Sequence, residues 1–113
     1  MQIKDPELFT IAVVMNSRHN DAMPIFRGTP LGNPFKMTDE HERDRVCDQY
    51  EIYFQEKVAR EDPAVLNELS RFTRIAIEQG YIKLGCFCKN SPAGPRCHGD
   101  TIARFLEGVL NNR

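Results

Sequence analysis

The chain predicts an α/β fold: one small single-domain sandwich over residues 1–113, with a short, mostly parallel sheet flanked by helices in a minimal Rossmann-like arrangement. Three observations predict it. Leu8 to Met15 (LFTIAVVM) is an apolar, β-branched run of strand length. Two amphipathic helical patterns then separate it from a further strand-like run that starts at Tyr81, so the strands can be joined by crossovers. A third amphipathic helix closes the chain. At 113 residues the sequence has the size of one ordinary domain, and no internal repeat or linker divides it.

The first strand is continuous in its apolarity, which predicts burial on both faces. Asn16 to Asp21 is polar and rich in turn-forming Asn and Asp. Met23 to Phe26 is a candidate second strand, and it runs into Arg27-Gly28-Thr29-Pro30-Leu31-Gly32-Asn33-Pro34-Phe35. Two Gly and two Pro in nine residues exclude a helix or a central strand there, so this loop must hold a specific shape.

Thr38 or Asp39 caps a helix of about twenty residues, with Asp39 and Glu40 placed to favour the positive end of its dipole. Val46, Tyr50, Tyr53, Phe54 and Val58 form its apolar stripe, with Cys47 beside it as a small core residue. Asp62-Pro63 opens the second helix as N-cap and first helical residue, and Gly80 ends it. Val65, Leu66, Leu69, Phe72 and Ala76 give the buried face. Tyr81 to Cys88 reads as a strand that points Ile82, Leu84, Cys86 and Cys88 to one side. The last helix, Asp100 to Asn111, buries Ile102, Phe105, Leu106, Val109 and Leu110.

With parallel strands, Asn16 to Asp21, Arg27 to Phe35 and Cys88 to Asp100 all follow carboxyl ends of strands. That is the edge where open α/β sheets bind their ligands. The three loops are therefore expected to meet.

The residues at that edge are similar to those of a known family. Val13-Val14-Met15-Asn16-Ser17-Arg18-His19, the Arg27-to-Phe35 loop, Leu84-Gly85-Cys86-Phe87-Cys88 and Cys97-His98-Gly99-Asp100 resemble, in order, the motifs of the DUF4326 family. These are small α/β proteins of bacteria and bacteriophages with no assigned reaction. The resemblance covers Ile11 to the C-terminus. It implies the fold and the position of a site, a phage-encoded protein acting in a host cytoplasm, and a host protein as one candidate partner. Asn90 to Arg96 is longer than the family's short Pro-containing connection.

Four chemistries fit these residues. The first is binding of a small anionic ligand, a nucleotide or nucleotide-sugar, by Asn16, Arg18, Arg27, Gly28, Gly32, Asn33, His98 and Gly99. Gly99 would let the ligand approach the start of the last helix, whose N–H groups favour anions. Charge placement supports this: residues 16–36 carry three basic and one acidic side chain, whereas residues 37–62 carry four and nine. The second is catalysis, with Cys88 or Cys97 as nucleophile, His98 as general acid or base and Asp100 orienting it. Thiol chemistry or cleavage of an N-glycosidic bond would fall under it. The third is zinc held by Cys86, Cys88, Cys97 and His98, a donor set that suits a tetrahedral ion, in a zinc-stabilised module that contacts the host protein. The last is purely structural: Cys86 as a small core residue, Asp100 as an N-cap and Asn33-Pro34 as a rigid bend.

Other classes are disfavoured. Fifteen basic against sixteen acidic residues give no strongly charged surface, and no basic stripe interleaved with aromatics speaks for nucleic acid. No apolar run reaches membrane-spanning length, and the N-terminus lacks the apolar core of a signal peptide. A cytoplasmic protein with reduced thiols is the expectation.

Overall fold

The computed structural model describes residues 9–15, 20–86 and 96–111. Among the described residues, three strands form one parallel sheet: β1 (Thr10–Met15), β2 (Met23–Pro24) and β3 (Tyr81–Cys86), in the order β1-β3-β2. The last strand in sequence is thus the central one. β1 runs beside it from Thr10 opposite Tyr81 to Met15 opposite Cys86, and β2 pairs Met23 with Leu84 and Pro24 with Gly85.

This order corrects one expectation. β1 lies at the sheet's edge, and Ile11 to Val14 are only half-buried. Its unbroken apolar run reflects hydrophobic composition, not burial on two faces. Pairing of β2 is also shorter than the Met23-to-Phe26 expectation, ending after the Ile25 N–H donates to the Gly85 carbonyl at 3.0 Å.

Helices α1 (Arg43–Ala59), α2 (Pro63–Gln79) and α3 (Gly99–Asn111) supply the second layer. A 3-10 turn at Glu40–Glu42 precedes α1, and the Asp39 carboxylate caps that turn by accepting from the His41 N–H. The α2 ends follow the sequence closely. Asp62 Oδ2 accepts from the Val65 N–H at 3.2 Å, Pro63 starts the helix, and Gly80 stops it at φ +86°, a conformation open to glycine without a Cβ penalty.

Alternation along β3 separates the two faces of the sheet. Ile82, Leu84 and Cys86 join Tyr50 and Phe54 of α1, Leu69 and Phe72 of α2, and Ile102 and Leu106 of α3 in one core. Val109 is 40% exposed and stands outside that core, unlike the expectation for it. On the opposite face, Asp21 accepts from the Tyr81 hydroxyl at 3.0 Å and from Lys83 Nζ at 3.3 Å. Among the described residues, no helix is long and apolar enough to cross a membrane.

Candidate functional site

The carboxyl end of β3 delivers Cys86 to the level of Ile25, and the chain re-enters the core at Cys97 just before α3. The loop after β2 closes over this point. Its turn is set by Thr29, whose N–H and hydroxyl both donate to the Phe26 carbonyl, at 3.1 and 2.8 Å. Gly28 takes φ +100°, which explains glycine there. At Gly32 the reason is space: a Cβ would lie 2.5 Å from the Phe26 carbonyl oxygen. Asn33 Oδ1 then accepts from the Phe35 N–H at 2.8 Å, an Asx turn ahead of Pro34.

Tyr50 of α1 joins the loop to the α3 turn. Its buried hydroxyl donates to the Leu31 carbonyl at 2.7 Å, while its ring meets the His98 ring edge-on at 4.9 Å between centroids. Burial, with lesser contributions from Tyr53 and Cys97, raises the Tyr50 phenol far above its ordinary value, so it remains a donor.

The loop, the start of α1 and the α3 turn enclose a cavity of about 290 Å³. Phe26, Phe35, Met37 and Val46 make its apolar wall. Arg27, Asn33 and Arg43 contribute polar groups, and Cys47, Cys86, Cys97 and His98 complete it. Arg27 is exposed, and its Nη1 donates to the Pro34 carbonyl at 3.4 Å. Arg43 is tied to Glu40 and donates to the Arg96 carbonyl at 2.9 Å. Arg96 in turn bonds Asp44 and Asp48, stapling the entry to α3 onto α1.

The α3 turn is bonded within itself. Cys97 N–H donates to Asp100 Oδ2 at 3.1 Å, and Gly99 N–H donates to Cys97 Sγ at 3.3 Å. The Asp100 and Thr101 N–H groups donate to the Cys97 and His98 carbonyls at 3.0 and 3.1 Å. The Cys97, Gly99, Asp100 and Thr101 N–H groups at this helix start are thereby engaged inside the turn. Gly99 is buried, and its lack of a side chain serves packing: a Cβ would lie 2.8 Å from Ile25 Cδ1 and 2.9 Å from Val13 Cγ1.

His98 Nε2 lies 2.6 Å from the Ile25 carbonyl, so that nitrogen carries the proton and donates. In the neutral ring Nδ1 is then the acceptor, and it faces Cys97 Sγ at 3.7 Å. Asp100 caps the turn through Cys97. Cys86 and Cys97, both buried and not joined by a disulfide, have sulfurs 2.9 Å apart. Two thiolates on one tetrahedral zinc stand about 3.8 Å apart, given Zn–S of about 2.3 Å. Among the described residues, no group of three or more His, Cys, Asp and Glu side chains is arranged to hold a metal.

The structure therefore brings Arg27, Asn33, Cys86, Cys97 and His98 to one cavity, with Gly28 and Gly32 shaping its loop. Asn16, Arg18 and Cys88 lie outside the described residues. Of the polar segment after β1, Asp21 sits on the far face of the sheet with Tyr81 and Lys83, away from the cavity. Lys36 is exposed and does not line it. Sequence reasoning did not name Phe26, Phe35, Met37, Arg43 or Val46 as site residues, and placed Cys47 only in the core. Met37, Arg43, Val46 and Cys47 reach the cavity because α1 packs beside the loop, and no local pattern signals that.

Comparison with curated proteins and with solved structures gives no match. A family model described as "Domain of unknown function (DUF4326)" matches residues 14–108, a span that contains the loop, α1, β3 and the cysteine-histidine turn, and the chain belongs to that family.

Proposed function

We propose that the cavity binds a small anionic ligand carrying an apolar ring, most simply a mononucleotide or the nucleotide part of a nucleotide-sugar. The carrying observation is the pairing of an aromatic wall, Phe26 and Phe35, with the exposed cation Arg27 at the carboxyl edge of a parallel sheet. Flat rings suit the wall by stacking, and the guanidinium suits a phosphate through paired hydrogen bonds. A volume of about 290 Å³ is at the small end of ligand sites, which favours one nucleotide over a dinucleotide. Asn33 uses its carbonyl oxygen on Phe35, so its amide N–H groups are the part it can offer a base or sugar.

Arg27 replaces the start of α3 as the anion-binding element in this reading, because the α3 turn consumes its own donors. A thermal-shift series with nucleoside mono- and diphosphates tests it. At least one is expected to raise the melting temperature, and Arg27→Ala is expected to abolish that rise while leaving the unliganded melting temperature within about 2 °C, as for an exposed side chain. A shift that survives Arg27→Ala removes Arg27 from the site.

A further inference from the structure

Two of the cavity's sulfurs have a relationship that ligand binding does not require. Cys86 Sγ and Cys97 Sγ are 2.9 Å apart, and a disulfide needs about 2.05 Å, so roughly 0.9 Å of approach would join them. Both are held by regular structure. Cys86 ends the central strand, paired with Met15, and Cys97 is tied by its N–H to Asp100 in the α3 turn. Three groups surround the Cys97 sulfur: the start of α3, the Gly99 N–H that donates to it at 3.3 Å, and His98 Nδ1, which faces it at 3.7 Å and can accept its proton. Both sulfurs line the cavity, and Arg27 lines it with them.

We propose that Cys86 and Cys97 form a redox-active dithiol that exchanges with a small anionic disulfide of the glutathione class, with Cys97 as the attacking sulfur and Cys86 as the resolving one. In the first step the Cys97 proton passes to His98 Nδ1 and the Cys97 thiolate attacks one sulfur of the disulfide. The incoming S–S bond breaks, a mixed disulfide forms on Cys97, and one thiolate leaves and takes up a proton. In the second step Cys86, as thiolate, attacks Cys97 Sγ and expels the second thiolate, which is protonated in turn. The balance is two cysteine thiols and one small disulfide going to one Cys86–Cys97 disulfide and two small thiols. The chain is oxidised by two electrons and the small disulfide is reduced by the same two. Arg27 would attract the carboxylates of such a disulfide to the cavity mouth.

The full chain, reduced and freed of reductant, is equilibrated near pH 7 with mixtures of reduced and oxidised glutathione, acid-quenched, and mapped by mass spectrometry. Expected is a Cys86–Cys97 link, with the chain lighter by two hydrogens and no glutathione retained. Cys86→Ser is expected to keep one glutathionyl group on Cys97, and Cys97→Ser to keep none at position 86. The wild-type map stands on its own should either variant fail to fold. A link that uses Cys47 or Cys88, no link at any glutathione ratio in folded protein, or a stoichiometric metal that must be stripped before the thiols react would each overturn the proposal. No nucleotide enters this experiment, so its failure leaves ligand binding untouched, and the reverse holds too.

Discussion

Removing one oxygen from Tyr50 tests how the candidate site is held together. Tyr50 and Leu31 are each 1% exposed, and the Tyr50 hydroxyl is the donor that reaches the Leu31 carbonyl, at 2.7 Å. Tyr50→Phe keeps the ring packed against His98, Tyr53 and Phe54 and deletes only that donor. Leaving a buried carbonyl without its donor costs about 1–3 kcal/mol. A loss of about 2 kcal/mol is expected, or about 8 °C in melting temperature for a domain of this size. Urea denaturation at pH 7 measures it directly. The same titration at alkaline pH gives a second readout. Because burial raises the folded-state phenol, Tyr50 adds stability that is complete below the unfolded value of about 10 and is lost as pH climbs toward the folded one. The gap between wild type and Tyr50→Phe should therefore narrow by about 1 kcal/mol between pH 10 and pH 11, as the unfolded phenol goes from half to almost fully ionised. A Tyr50→Phe protein within 0.5 kcal/mol of wild type at pH 7, a bound near about a quarter of the expected loss, would refute the reasoning. So would a gap that stays constant through pH 11.

Two further outcomes follow from the packing and electrostatics. Gly99→Ala places a methyl against Ile25 and Val13, and overpacking of this kind costs about 1–3 kcal/mol. Adding Ile25→Val, which removes the nearest methyl, should return part of that loss in chemical denaturation, whereas strictly additive losses would show that the contact is not the cause. At acid pH, the Asp21 carboxyl is held below its ordinary value, first by the Tyr81 hydroxyl and then by Lys83. Such a group stabilises the fold above its unfolded value, near pH 4, and the contribution disappears as pH falls through the folded value. Tyr81→Phe should accordingly be less stable than wild type at pH 6 and converge on it as pH falls through the folded value; parallel acid-unfolding curves would argue against the pair.

Local rules carried much of this fold. Asp62, Pro63 and Gly80 mark the ends of α2 because capping chemistry and a left-handed glycine act over a few residues. The period-two pattern of Ile82, Leu84 and Cys86 likewise assigned the core face of β3. Strand rank was not legible. Leu8 to Met15 is more apolar than Tyr81 to Cys86, yet β3 is central and β1 lies at the edge, because crossover geometry and helix placement decide rank, not hydrophobicity.

The site divides in the same way. By itself, the sequence determined that Arg27 to Phe35 is a rigid loop and that thiols and an imidazole cluster around α3, since Gly, Pro and Cys spacing are local facts. Only the tertiary structure decided what those groups do to one another. Gly99 turned out to be a packing residue because Ile25 and Val13, far away in sequence, occupy the space of its side chain. The helix start that was expected to receive an anion spends its donors on its own turn and on Cys97, and the exposed cation is Arg27 across the cavity. Contacts such as Cys86 to Cys97 or Tyr50 to Leu31 depend on how elements close on each other, and no residue spacing encodes that distance.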